Sequence, residues 1–377
     1  MTRYRALDGL RGVAALVVVV HHCLLTSPTL AATYRGGRTT GWGLATLLTR
    51  TPLHIVWDGT GAVLVFFVLS GFVLTLAFTD PGKRTHPRWS NYYAKRVPRL
   101  YVPVWAALAL AVVVVEIVPR TVGSTQSWWI NAHASSVTGI GVVKDGSLLW
   151  NATLLDSPLW SLRWEVLFSL LLPLYVFVAL QWRRKPAAAV LKVLAALVLI
   201  GVGSRTGHAA LLYLPVFLLG AVLAAERERL QRWLARFGRQ VWWGIGSAAI
   251  LMLSVDAMAP GVPEWLSRPL RSAAAALIVL TFLGCRAVAG FAVRRRVQWL
   301  GRISFSLYLV HEPIAVSVAQ LLPANAPAVL LITLPLSLLL AAAFYRLVER
   351  PALQLSQWLG RIEARPSTFW LPADPRV

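Results

Sequence analysis

The 377-residue sequence holds only two cysteines, Cys23 and Cys285. Two distant thiols build no disulfide framework, and no clustered Cys/His set accompanies them to suggest a zinc site. Acidic residues are also scarce: 15 Asp and Glu stand against 37 Lys and Arg, and all charged residues make up 14% of the chain. With 57% hydrophobic residues and a mean hydropathy of +0.63, this excludes an ordinary soluble domain. The sequence has no Walker loop, no spaced dinucleotide glycine motif and no Gly-x-Ser-x-Gly nucleophile elbow. Nor is there an internal repeat of the kind that marks transporters built from related halves.

What is present is a series of long apolar runs. Ten predicted spans cover 10–25, 61–78, 100–118, 160–180, 187–203, 209–225, 241–257, 272–289, 303–322 and 326–347. The expected fold is an all-α, polytopic membrane bundle of about ten transmembrane helices, with a membrane domain over 1–350 and a short cytoplasmic tail over 351–377. The first run carries Asp8 and Arg11 at its start and no small-residue cleavage site follows, so it reads as a permanent helix rather than a signal peptide. The net charge of +22 would suggest nucleic acid if the charges were not so placed. With the N-terminus inside, 27 basic residues fall on the inner side and 8 on the outer. This positive-inside bias predicts that both termini are cytoplasmic and leaves no reason to expect a nucleic-acid partner. Glu226 to Gln240 places Leu230, Trp233, Leu234 and Phe237 on one face against arginines on the other, a helix expected to lie along the inner surface.

Arg11 and His22 stand eleven residues apart in the first span, close to three helical turns, so they share a face with Asp8. The rise between them is roughly 16 Å, about half of a ~30 Å hydrocarbon core, which puts His22 deep in the membrane. An ionisable residue there normally faces a protein interior or a wet cavity and is a functional candidate by default. In the second span FFVLSGF (66–72) sets Ser70 and Gly71 near mid-membrane, where a glycine admits close approach of a helix or a ligand. Arg96 and Arg99 lie one turn apart as the third span begins, and paired guanidiniums suit phosphate oxygens through bidentate forks. They would otherwise be topological anchors. Ser161 and Glu165 share a face of the fourth span while Arg163 points elsewhere; Glu165 would either pair near Arg163 or serve as a buried acid or base. In the ninth span Ser304, Tyr308 and His311 form a second polar stripe, with His311 at a depth close to that of His22. Arg346 and Glu349, before Pro351, would read as an exposed ion pair near the inner face.

Taken in order, LDGLRG with its Arg-to-His spacing, FFVLSGF, the RxxR of Arg96 and Arg99, LWSLxxE ending at Glu165, YLVHEP from Tyr308 and the ER-P close at Glu349 to Pro351 resemble the acyltransferase 3 family. The resemblance covers nearly the whole chain and is to the compact form without an appended SGNH domain. It implies ten helices, essential Arg11 and His22, and a role for Arg96 and Arg99 toward an acyl-coenzyme A donor. Some members carry an acid just before the FF pair; here 62–65 is apolar, so that role is absent. The expected activity is O-acyl transfer, of acetyl or another short acyl group, from cytoplasmic acyl-CoA to a hydroxyl of a glycan, a cell-surface polysaccharide or a glycosylated natural product such as a macrolide. The expected setting is a bacterial inner membrane. On this reading His22, Arg11, Glu165 and His311 are the catalytic candidates, and Arg96, Arg99, Ser70, Phe67 and Tyr308 bind the donor. Asp8, Ser161 and Glu349 support them, and neither a metal nor a permanently bound cofactor is expected.

Transfer from a thioester to an alcohol needs the hydroxyl proton removed as it attacks, a task suited to an imidazole with a pKa near 6.5. His22 would be that base, or would itself be acylated and then deacylated by the acceptor. The donor's phosphates cannot enter hydrocarbon cheaply, so the nucleotide would stay at the inner basic loop while the pantetheine arm reaches toward His22. The rival class is a transporter or flippase, in which the same buried Arg, His and Glu would bind substrate or relay protons.

Overall fold

The computed structural model describes residues 4–36, 43–79, 88–133, 137–150, 152–183, 185–323 and 325–364. Arg3, Arg38, Lys83, Arg84 and Arg184, counted in the charge asymmetry, and the end of the expected tail lie outside these. Among the described residues there is no strand. Ten helices carry the expected spans: α1 (Arg5–Leu25), α2 (Gly59–Thr79), α3 (Trp89–Ile117), α4 (Leu159–Leu180), α5 (Pro186–Thr206), α6 (Ala209–Ala225), α7 (Arg239–Leu253), α8 (Glu264–Gly284), α9 (Arg295–Leu321) and α10 (Ala326–Phe344). Leu, Ala and Val dominate them and keep the backbone bonds internal, as a bilayer demands. Local chemistry sets several boundaries: Asn325 caps α10 by accepting from the Ala328 N–H at 3.2 Å, and Gly207 ends α5 in the left-handed region at φ 72°.

Seven helices among the described residues are long and apolar enough to cross a membrane: α1, α2, α3, α4, α5, α8 and the continuous Ala326–Arg361. Counting α6 with Arg227–Leu234, which bends away from it by 71°, makes up to eight. Two of the ten expected spans fall short for different reasons. Helix α7 has 15 residues, about 22 Å of rise. Helix α9 has 27 residues, but His311 and Glu312 interrupt its apolar run, and nearly every residue from Ile303 to Ala319 is buried. A helix buried all round has protein neighbours in place of lipid. It is packed by α1, α10 and α3, and is the axis of the site half of the bundle.

Close helix approach depends on glycines at two crossings. A Cβ on Gly12 would strike the backbone of Leu300 and Gly301, and one on Gly301 would strike the Asp8 carbonyl, so α1 and α9 meet backbone to backbone. Gly71 and Gly220 do the same for α2 and α6: a Cβ on the first would hit the Phe217 carbonyl, on the second the Val68 carbonyl. The glycine of FFVLSGF therefore serves a helix contact.

The amphipathic segment forms the helix Arg227–Leu234, with Leu234 buried and Arg229 paired to Glu226 at 2.8 Å. Beyond α10 the chain makes one π-helical turn, Tyr345–Glu349, and continues as the helix Arg350–Ala364. That last helix packs on the start of α3, where Ser356 donates to the Lys95 carbonyl at 2.6 Å and Asn91 to the Gly360 carbonyl at 2.7 Å. Between α3 and α4, the short helix Trp128–Ala132 is started by Ser127, whose hydroxyl accepts from the Ile130 N–H at 3.2 Å. It folds back over the bundle, with Trp128 donating to the Ala31 carbonyl at 2.8 Å and Arg35 lying 3.6 Å over the Trp128 ring.

Candidate active site

A cavity of about 270 Å³ opens between α1, α2, α3, α4, α9 and the π-helical turn. It gathers residues that the sequence placed on separate spans: Asp8 and Arg11 from α1, Phe67 and Ser70 from α2, and Arg96 and Arg99 from α3. Ser161 and Glu165 line it from α4, Ser304 and Tyr308 from α9, and Glu349 from the π turn; Arg302 joins them, a residue not singled out in the sequence.

The arginine pair is divided in its partners. Arg96 is buried, its Nη2 donating to Glu165 Oε1 at 2.5 Å and its Nε to Ser169 Oγ at 3.0 Å. Ser70 donates to the same carboxylate oxygen at 3.3 Å. Arg99 is exposed and faces the cavity. Glu165 thus pairs with Arg96 across two helices and not near Arg163, whose guanidinium instead lies 5.1 Å from the Trp164 ring centre. Glu349 corrects a second expectation. It is buried, not an exposed ion-pair partner, and one of its oxygens accepts from the Ser306 N–H at 3.2 Å and hydroxyl at 2.5 Å. The π turn that carries it is the kind of helix irregularity often found at functional positions.

The cavity ends at Tyr308, Phe66 and Ser161. The Tyr308 hydroxyl is 2.7 Å from Ser161 Oγ and donates to the Pro158 carbonyl at 3.2 Å. Tyr308 and Phe66 pack with Ala14, Val18 and Ala62 and cover the stretch of α1 between Arg11 and His22. His22 and His311 do not line the cavity; they lie just past this partition, with the Tyr308 and His311 ring centres 6.0 Å apart.

Beyond it the two histidines meet, His22 Nδ1 standing 2.7 Å from His311 Nε2. Their bonding fixes the tautomers. His311 Nδ1 is 3.0 Å from the Leu307 carbonyl, which can only accept, so that nitrogen carries the hydrogen. Neutral His311 then accepts at Nε2, His22 donates from Nδ1, and the lone pair of His22 sits on Nε2. The Trp129 ring stacks on His22 with centres 5.3 Å apart and planes 13° apart. Glu312, completely buried, brings Oε2 to 3.6 Å from His22 Nδ1. That carboxylate also accepts from the Ser157 N–H at 2.6 Å and hydroxyl at 2.5 Å, and faces His133 Nε2 at 3.1 Å. The sequence reading missed Glu312, His133, Trp129 and Ser157. His21, by contrast, turns away: it is buried with Nδ1 2.8 Å from the Trp57 carbonyl.

One further ionic cluster belongs to the scaffold. Arg271 bonds both oxygens of Asp58 at 2.7 and 2.9 Å and Asp256 at 2.6 Å, tying the segment before α2 to α8. Burial alone would push the Asp58 carboxyl up, but the Arg271 charge, helped by His54 and the Gly61 N–H, holds it below the usual range. Among the described residues no group of three or more His, Cys, Asp or Glu is arranged to hold a metal.

Apolar helices around buried ionisable side chains, with a histidine whose lone pair is free and an arginine-lined cavity beside it, define a membrane-embedded protein equipped for acid–base or group-transfer chemistry. Neither a curated protein nor a solved structure matches the chain. The chain belongs to the acyltransferase 3 family, whose acyltransferase domain matches residues 4–346. It is a multi-pass membrane acyltransferase, and the transporter reading is set aside.

Proposed function

We propose that this acyltransferase, set in a bacterial inner membrane, moves a short acyl group from cytoplasmic acyl-CoA to a hydroxyl of a glycan, a cell-surface polysaccharide or a glycosylated natural product. The observation that carries the reading is the order of groups along α1 and α9: an arginine-lined cavity, then Tyr308, then the His22–His311 pair. Arg11, Arg99 and Arg302 offer charge for the donor's phosphates, while Arg96 is committed to Glu165 and holds one wall in place. Glu165 and Glu349 act as positioning residues for that wall. The pantetheine arm then points at Tyr308, and the thioester reaches His22 as the Tyr308–Ser161 contact opens.

The Nε2 lone pair of His22 takes the hydroxyl proton as the acceptor oxygen attacks the thioester carbonyl. The C–S bond breaks as the C–O bond forms, and His22 returns the proton to the leaving thiolate, giving ester and free coenzyme A. Glu312 stabilises the imidazolium during transfer, and His311 fixes the ring by accepting from Nδ1. If the acyl group rests on His22 in transit, the same lone pair is the nucleophile. Loss of O-acylated glycan or metabolite in a deletion strain, restored by the wild-type chain and not by His22→Ala, is the expected result. Coenzyme A should also bind the purified protein in detergent. A strain with unchanged O-acylation, or protein that does not bind coenzyme A, would overturn the reading.

A further inference from the structure

The α3–α4 connection supplies a buried histidine that neither the family motifs nor the reaction above uses. His133 follows the helix Trp128–Ala132 and is 4% exposed, and its ring packs edge-on against Trp129 at 4.4 Å, the indole that stacks on His22. Its Nδ1 lies 2.7 Å from the Trp129 carbonyl, an obligate acceptor, so Nδ1 carries a hydrogen. Its Nε2 faces Glu312 Oε1 at 3.1 Å. A hydrogen bond there requires one more proton, on the imidazole or on the carboxyl. In either place the pair as a whole is neutral; without that proton two lone pairs would face each other around a buried negative charge.

From this geometry we infer that His133 and Glu312 share one proton and that His133 is a positioning residue which sets the charge His22 meets at Glu312 Oε2. The inference rests on His22 acting through its free Nε2. With His22 neutral, the shared proton keeps the pair neutral. When His22 takes the hydroxyl proton, the shared proton moves fully to His133 Nε2 and Glu312 presents a carboxylate to the imidazolium; both return when the thiolate is protonated. No proton is gained or lost by the pair over the cycle.

The other groups around Glu312 are His22 from α1, Tyr308 and His311 from α9, Ser157 and Asp156 from the segment before α4, and Arg120 after α3. Arg120 is engaged by the Leu154 and Leu155 carbonyls at 3.0 and 3.3 Å. Among the described residues around Glu312, Asp156 is the rival as a proton store. It is completely buried, both its carboxylate oxygens lack a hydrogen-bond partner, and burial with the nearby Glu312 pushes it well above the usual carboxylate range. A carboxyl already neutral is mimicked by Asn, which gives the rival its own control.

The test needs no acceptor. Diethyl pyrocarbonate modifies only unprotonated imidazole, and tandem mass spectrometry separates His22 from His21, so labelling of the full-length protein in detergent against pH reads the titration of His22. His133→Gln keeps a donor toward Glu312 but cannot hold the shared proton, leaving a full carboxylate facing His22. Its imidazolium is then favoured, and the labelling midpoint should rise by about one pH unit or more. Asp156→Asn should leave the midpoint where it is. An unshifted midpoint in a His133→Gln protein that melts near the wild type would overturn the inference, as would a shift produced by Asp156→Asn in its place. Failure of His22 to label at any pH would instead overturn the assignment of a free Nε2, and with it the reading on which this one rests.

Discussion

The arginine cavity and the histidine centre are built on the same two helices, α1 and α9, yet their side chains are held in different ways. In the cavity one buried arginine is fixed by a carboxylate from another span, while Arg99 keeps an exposed head free for a ligand. Past Tyr308, every nitrogen of His311 and His133 and both oxygens of Glu312 have partners, so that within this group of four side chains His22 Nε2 is left over. A surface that binds by charge tolerates slack; a base does not, because a small error in ring orientation removes the lone pair from its target. The difference predicts where substitutions change binding and where they change chemistry.

The largest effect should come from His22→Ala, which on purified protein is expected to lower acyl-CoA turnover by a factor on the order of a thousand. Its neighbour sharpens the contrast. His21→Ala removes the bond to the Trp57 carbonyl and the ring contacts with Tyr34 and Trp57, so turnover should stay within a few-fold while the melting temperature falls, consistent with a loss of about 1–3 kcal/mol for the stranded carbonyl and more for the lost packing. Abolished turnover in a His21→Ala protein of unchanged melting temperature would break the assignment of the two rings.

Within the arginine pair, Arg99→Ala should raise the donor KM about tenfold with a smaller change in kcat, the loss of one charge-assisted contact to an ionised partner. Arg96→Ala strands the half-buried Glu165 carboxylate and should act first on thermal stability. Removing both charges together, as Arg96→Met with Glu165→Leu, should recover much of that stability. If Arg96→Ala instead raised the donor KM with the melting temperature intact, Arg96 would be the ligand and the division drawn here would fail.

The smallest effect on turnover is expected from Tyr308→Phe. The ring stays in place and only the bonds to Ser161 and the Pro158 carbonyl are lost. Turnover should change less than about threefold, while acetyl-CoA hydrolysis without acceptor should rise as the partition loosens, measured as free thiol. Unchanged hydrolysis would mean that packing alone closes the cavity.

The sequence made the cavity legible because its residues repeat at helical spacing within apolar runs. Arg11, Ser161, Glu165 and Tyr308 can each be placed on a face by counting turns, and faces that carry polar groups in a membrane must converge. Two kinds of residue escaped. Trp129, His133 and Ser157 lie on the α3–α4 connection, where no periodicity says which way a side chain points. Glu312 stands beside His311, one step off the stripe of Ser304, Tyr308 and His311; since α9 is buried all round, no face of it points away from protein, and the stripe was the wrong guide. The rule that singled out Glu165, a carboxylate inside an apolar run, applied equally to Glu312. Span counting was limited in the same way, because α9 reads as a lipid-facing helix until its neighbours are known and α7 is shorter than its apolar run suggested.

The layer of Tyr308, Phe66, Ala14, Val18 and Ala62 carries a consequence for the cell as well as for the reaction. Polar groups stand on both sides of it, and if those sides face opposite surfaces of the membrane, a continuous file of water joining them would carry protons across it. On the path proposed for the thioester, a few apolar side chains and one phenol, held by Ser161 at 2.7 Å and the Pro158 carbonyl at 3.2 Å, would act as electrical insulation between the two polar regions. An enzyme of this design has to let a carbonyl group through without letting a proton current follow it.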